Sequence, residues 1–199
     1  MSRPLYSRSF RLWHWLNAVI VLGLLGTVLL RKTFLSYKTN GAVIQEELAK
    51  LGNDITLDAA KAIAKTLREP MWDWHYIMGF ALAALLLWRI LLHVRERSML
   101  FFSRVKRAPT LHKKGIYALY GGVYAVVSFM VLSGLIIYFS NALGLSDATA
   151  HTIKEVHEIG MYFFLLFVPA HIIGIIIAEN SGQRGLISGM VGEGESNRM

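Results

Sequence analysis

Residues 157–171 read HEIGMYFFLLFVPAH, an almost wholly apolar run with a histidine at each end. Fourteen steps (171 − 157) at about 100° each make about 1400°, some 40° short of four turns, so on a helix His157 and His171 share one face. At about 1.5 Å per residue they stand about 21 Å apart along the axis. The apolar stretch, from about 156 to 178, is long enough to cross a bilayer core, which takes roughly 20 residues. One helix thus offers two imidazoles, one per leaflet, to the same interior.

Three further stretches have the same character, at about 13–30, 72–92 and 116–139. Of the 199 residues, 54% are hydrophobic and 17% charged, more apolar surface than a soluble domain of this size carries. Backbone groups in lipid must be paired within each segment. The expected fold is therefore an all-α membrane protein, one domain over 1–199 built as a four-transmembrane-helix bundle. The N-terminal MSRPLYSRSFRLWHW leads into an apolar run with no small-residue cleavage site before Arg31 and Lys32, and reads as a retained first span.

Charge sets the expected orientation. The net +8 fits basic residues beside a cytoplasmic leaflet and calls for no nucleic acid. Arg3, Arg8 and Arg11 precede the first span, and Arg95, Arg97, Arg104, Lys106, Arg107, Lys113 and Lys114 lie between the second and third. Both segments belong inside by the positive-inside rule, which places both termini in the cytoplasm and the 33–70 and 140–152 loops outside. In the 33–70 loop, Ile44, Leu48 and Leu51 fall on one helical face. Ala60, Ile63, Ala64 and Leu67 fall on another, with Thr56 placed as a cap. Two helices on the membrane surface are expected there, or a docking cap for an outside partner.

The chain has no cysteine. Disulfides, thiolate-held clusters and covalent haem attachment are excluded together, so any metal is held by His, Met or carboxylate. Seven histidines are present. His112 falls in the basic inner loop and His151 in the short outer one. His14, early in the first span, reaches the depth of His171; His75, early in the second, reaches the depth of His157. Two His–His pairs, one above the other in an apolar interior, suit two non-covalent b-type haems. A proton relay would use buried carboxylates, but Asp73, Glu155 and Glu158 all sit near the outer interface. His93, eighteen residues after His75 and on its face, is a substitute ligand for the inner site, although its place in LLHVRER suits an interfacial anchor. Gly79, Gly160 and Gly174 each remove a side chain beside a candidate ligand, for a flat ring or for helix packing. Arg89, fourteen residues after His75 (89 − 75), needs an anion in the membrane, and a haem propionate is one. Trp13, Trp15, Trp72, Trp74 and Trp88 gather near span ends as an aromatic belt.

RLWHW (11–15), HYIMGFALAALLLWRI (75–90), HEIGMYFFLLFVPAH (157–171) and RGLISGMVGEG (184–194) resemble the bacterial cytochrome b561 and nickel–iron hydrogenase b-type cytochrome family. Formate dehydrogenase gamma subunits look like more distant cousins. The resemblance covers all four spans and the inner tail. It implies a diheme, quinone-linked electron carrier of the bacterial inner membrane, with His14 and His171 on the inner haem iron and His75 and His157 on the outer. Arg89 matches the family's arginine in the second span, and His93 has no counterpart ligand. The 33–70 loop departs from the family pattern, which leaves open the extracytoplasmic redox partner: a hydrogenase-like protein, a dehydrogenase or a c-type cytochrome.

Two other functions fit the same residues. A stand-alone superoxide:quinone oxidoreductase would draw its anion through basic residues near the outer site, Lys154 among them. A haem-free proton-coupled transporter or assembly factor would use the histidines otherwise.

Overall fold

The computed structural model describes residues 6–95, 110–182 and 185–192, without the side chains of 92–95, 112 and 113. Seven helices make up the described residues: α1 (Arg8–Lys32), α2 (Tyr37–Lys50), α3 (Leu57–Leu67), α4 (Glu69–Arg95), α5 (Leu111–Tyr138), α6 (Asp147–Asn180) and α7 (Leu186–Val191). Among the described residues there is no strand. Four of the helices, α1, α4, α5 and α6, are long and apolar enough to cross a membrane. Their large apolar side chains face outward in number, with Val19 66%, Leu132 60% and Leu166 74% exposed, as suits contact with lipid rather than water.

Each of these helices extends past its apolar stretch, because the hydrogen-bond ladder does not stop where hydropathy does. The largest difference is in α6. The 140–152 segment, expected as a loop, turns helical at Asp147, where the Ser146 side chain accepts from the Thr149 backbone N–H at 3.3 Å. A polar first turn with a good cap carries no hydropathy signal, yet it satisfies the donors that a helix start leaves open. His151 consequently lies on a helix, 3.6 Å from Glu155 one turn on.

The chain forms two compact units, Val19–Ala81 and the remainder, Met1–Ala18 with Leu82–Met199. In the Val19–Ala81 unit, α2 and α3 pair as a hairpin. Ser36 caps α2, and Thr56 caps α3 by accepting from the Ala59 N–H at 3.2 Å. The helices meet through small residues, Gly41 on α2 and Ala60 and Ala64 on α3, all buried. A Cβ at Gly41 would come 2.8 Å from Lys61 Cγ and 3.1 Å from its Cα, so only glycine permits that approach. Gln45 Nε2 donates to Ile55 O at 3.0 Å and ties α2 to the connection. Lys65 and Arg68 lie over the Tyr37 ring, at 5.1 and 4.9 Å from its centre.

In the other unit, α5 packs on α6, and α7 folds against the end of α6. The Glu179 carboxylate accepts from the Gly185 and Ile187 backbone N–H groups at 2.7 and 3.0 Å, filling the start of α7. Trp15 Nε1 donates to Met190 O at 3.1 Å and the Arg11 guanidinium to Gly192 O, binding the first turns of α1 to α7. Trp13 Nε1 donates to Leu85 O at 3.0 Å, and Leu82, Leu85, Met161 and Phe164 are the buried apolar residues of this unit.

Candidate functional site

His14 on α1 and His171 on α6 come together, as their depths on the sequence require. Their ring centroids are 6.2 Å apart with planes at 60°. Trp15 sets an edge on His14 at 5.6 Å, and Phe167 stacks on His171 at 5.6 Å. Both histidines are half-buried. A bare divalent ion takes three or four protein ligands; this pair supplies two. Iron already held by a macrocycle needs only those two. Two half-buried imidazoles brought together among aromatic rings are a donor set that fits a haem, which would bring the remaining ligands itself.

Arg89 sits in an aromatic box that includes Trp13, the neighbour of His14 in the chain. Its Nε–H donates to the Tyr124 hydroxyl at 3.2 Å, and its guanidinium lies 5.2 Å from the Phe10 ring centre and 5.3 Å from that of Trp13. Trp13 in turn stacks on Tyr124 at 6.2 Å. Such rings hold a cation by their faces while its other N–H groups stay directed at an anion. Tyr6 stacks on Phe10 at 5.6 Å. Burial, with Tyr120 nearby as the lesser cause, holds the Tyr6 phenol above its ordinary pKa.

His75 lies in the Val19–Ala81 unit and His157 in the other. The His75 Nδ1 is 2.8 Å from Thr27 Oγ1, and the rings of Trp72 and Tyr76 stand edge-on to it at 5.7 and 6.4 Å. The Arg31 guanidinium covers Trp72 at 5.5 Å. On the other histidine, Nδ1 is 2.8 Å from Ser133 Oγ. A Cβ at Gly134 would lie 3.3 Å from the His157 Cε1, so this glycine makes room for the ring.

The glycines singled out on the sequence differ among themselves. A Cβ at Gly79 or Gly174 would meet nothing within 4 Å, whereas Gly160 is filled by the Met130 thioether. Gly79 therefore leaves a gap one turn from His75, and Gly160 is a packing position. His93 falls in the last turn of α4 with its side chain outside the described residues, as is that of His112. Most of the basic connection after α4 also lies outside them. Thr27, Ser133, Gly134 and Tyr124 were not legible as site residues. Their signal, a lone hydroxyl inside GLLGTVLL and inside VLSGL, needs a partner across a helix pair to acquire meaning.

Four helices apolar enough to span a membrane, with His14 and His171 brought together from two of them, suit a membrane cytochrome of the b type. The family model of prokaryotic cytochrome b561 matches residues 5–193, and the chain belongs to that family. It is accordingly a multi-pass membrane protein in contact with lipid, from a family of b-type cytochromes that work in electron transfer. Neither a curated protein nor a solved structure gave a match.

Proposed function

We propose that the chain binds two b-type haems and passes electrons between an extracytoplasmic redox protein and the quinone pool. His14 and His171 hold the inner haem iron, His75 and His157 the outer. The observation that carries this is the approach of the His14 and His171 rings from two apolar helices, 6.2 Å between centroids. Bound haem supplies a one-electron carrier cycling between ferric and ferrous iron. The remaining work belongs to the chain. Two imidazoles holding each iron would leave no place on it for oxygen, which suits electron transfer rather than oxygen activation. Arg89 offers its charge to a propionate from the aromatic box, and the gap at Gly79 admits the edge of a flat ring beside His75. At the membrane interface a quinone would take up two electrons in succession and two protons from the adjoining water. The protein sits in the bacterial cytoplasmic membrane with both termini inside, as the placement of Lys and Arg favours.

The test is a reduced-minus-oxidised visible spectrum of the purified protein with haem counted per chain. A b-type spectrum with two haems per chain is expected. A single haem would reduce the ligand set to one pair, and a colourless preparation made with ample haem would overturn the proposal. Oxygen release from superoxide by the protein alone would instead identify a stand-alone superoxide:quinone oxidoreductase.

A further inference from the structure

Thr27 and Ser133 are the buried polar residues among those described, 6% and 4% exposed. Each lies in a membrane-spanning helix, and each hydroxyl reaches a histidine at the same atom and the same distance: Thr27 Oγ1 to His75 Nδ1 at 2.8 Å, Ser133 Oγ to His157 Nδ1 at 2.8 Å. Each also reaches back to a carbonyl of its own helix, Thr27 to Leu24 O at 2.7 Å and Ser133 to Phe129 O at 2.7 Å.

These contacts determine where the protons are. A carbonyl can only accept, so the single hydroxyl hydrogen is committed to Leu24 O in one case and Phe129 O in the other. Toward the imidazole each hydroxyl must then accept, and Nδ1 must carry the hydrogen. The opposite arrangement, with the hydroxyl donating to Nδ1, would keep one hydrogen bond instead of two and set two oxygen lone pairs 2.7 Å apart in a buried site. A neutral imidazole has one N–H, so Nδ1–H leaves the lone pair on Nε2.

We propose that Thr27 and Ser133 are positioning residues that fix His75 and His157 in the Nδ1–H tautomer, keeping the metal-binding lone pair of each ring on Nε2. This rests on the assignment of His75 and His157 as haem ligands above. A back-bonded hydroxyl is already satisfied by its own helix and has no need of an imidazole. Yet the same device recurs on two helices behind two candidate ligands. For His157 the next residue also leaves room for the ring in that position, since a Cβ at Gly134 would come 3.9 Å from Nδ1 and 3.3 Å from Cε1. An acceptor behind Nδ1–H raises the basicity of the ligating nitrogen, which favours ferric over ferrous iron.

The test uses the full chain with Thr27→Val, which keeps the shape and removes the hydroxyl, and Ser133→Ala. Thr27→Ser and Ser133→Thr serve as conservative rescues, and His75→Ala and His157→Ala are prepared in parallel. Haem per chain, haem release rate and the midpoint potential of each haem are measured. In Thr27→Val and Ser133→Ala the outer haem should be released about 10- to 100-fold faster and its potential should move upward. The inner haem should keep both values, and the rescues should restore the outer one. Unchanged potential and release in Thr27→Val and Ser133→Ala, while His75→Ala and His157→Ala lose one haem, would overturn the tautomer assignment and leave the ligands standing. Equal loss of both haems in Thr27→Val and Ser133→Ala would show a packing role and overturn it too. Two haems retained in both histidine variants would overturn the ligand assignment itself.

Discussion

At His157 three residues meet that are unremarkable alone: a ring on α6, and a hydroxyl and an absent side chain on α5. The absent side chain is testable by itself. Gly134→Ala places a methyl 3.3 Å from the His157 Cε1, tighter than carbon atoms ordinarily approach. The ring must turn, and the outer haem should bind about tenfold more weakly, read as haem retained per chain after dilution, with the inner haem unaffected. Removing the rings separates the two sites more sharply. His157→Ala should abolish the outer haem and spare the inner, and His171→Ala the reverse, each seen as one haem per chain with a different surviving potential. Loss of both haems in either variant would contradict independent sites. The approach of His14 and His171 was legible in the sequence because imidazole is costly in lipid and helical depth is countable. Ser133 was not, because a hydroxyl in an apolar span satisfies itself against its own helix and so marks nothing.

Among the elements, the α2–α3 hairpin offers the cleanest contrast with the histidine sites, since its pairing depends on one glycine. Gly41→Leu would drive a branched side chain into the Lys61 backbone 3.1 Å away and should cost the hairpin about 1–3 kcal/mol by overpacking. Limited proteolysis should then cut within 33–70 while the haem count stays the same; loss of haem would tie the hairpin to the haem sites. The periodicities of Ile44, Leu48 and Leu51 and of Ala60, Ile63, Ala64 and Leu67 lie on α2 and α3 or at their ends; of these Ala60 and Ala64 are buried at the close face, while Leu51, Ile63 and Leu67 stay exposed. The four long helices are readable from continuous hydropathy over a bilayer's width. The start of α6 is not, because Ser146 and the turn after it look like any polar loop until the cap hydrogen bond is seen.

For the molecule as a whole, the proposed topology can be measured with little disturbance because the chain has no cysteine of its own. Lys38→Cys on α2 should react with a membrane-impermeant maleimide added outside, and Lys114→Cys at the start of α5 only after the membrane is opened. The reverse pattern would invert the orientation. Placing His157 and His171 on one continuous 34-residue helix also has a consequence for transfer between leaflets. The spacing of the two proposed ligands is set by peptide geometry, a ruler whose graduations do not depend on the lipid. Cells that lengthen or shorten their acyl chains can tilt that rod, but they do not rescale the rise between its two marks. The ruler has a single soft point, Pro169, which lacks the N–H that would answer the Leu165 carbonyl one turn back. It lies two residues before His171, so a bend there would re-aim the end of the helix that carries His171 relative to the part that carries His157.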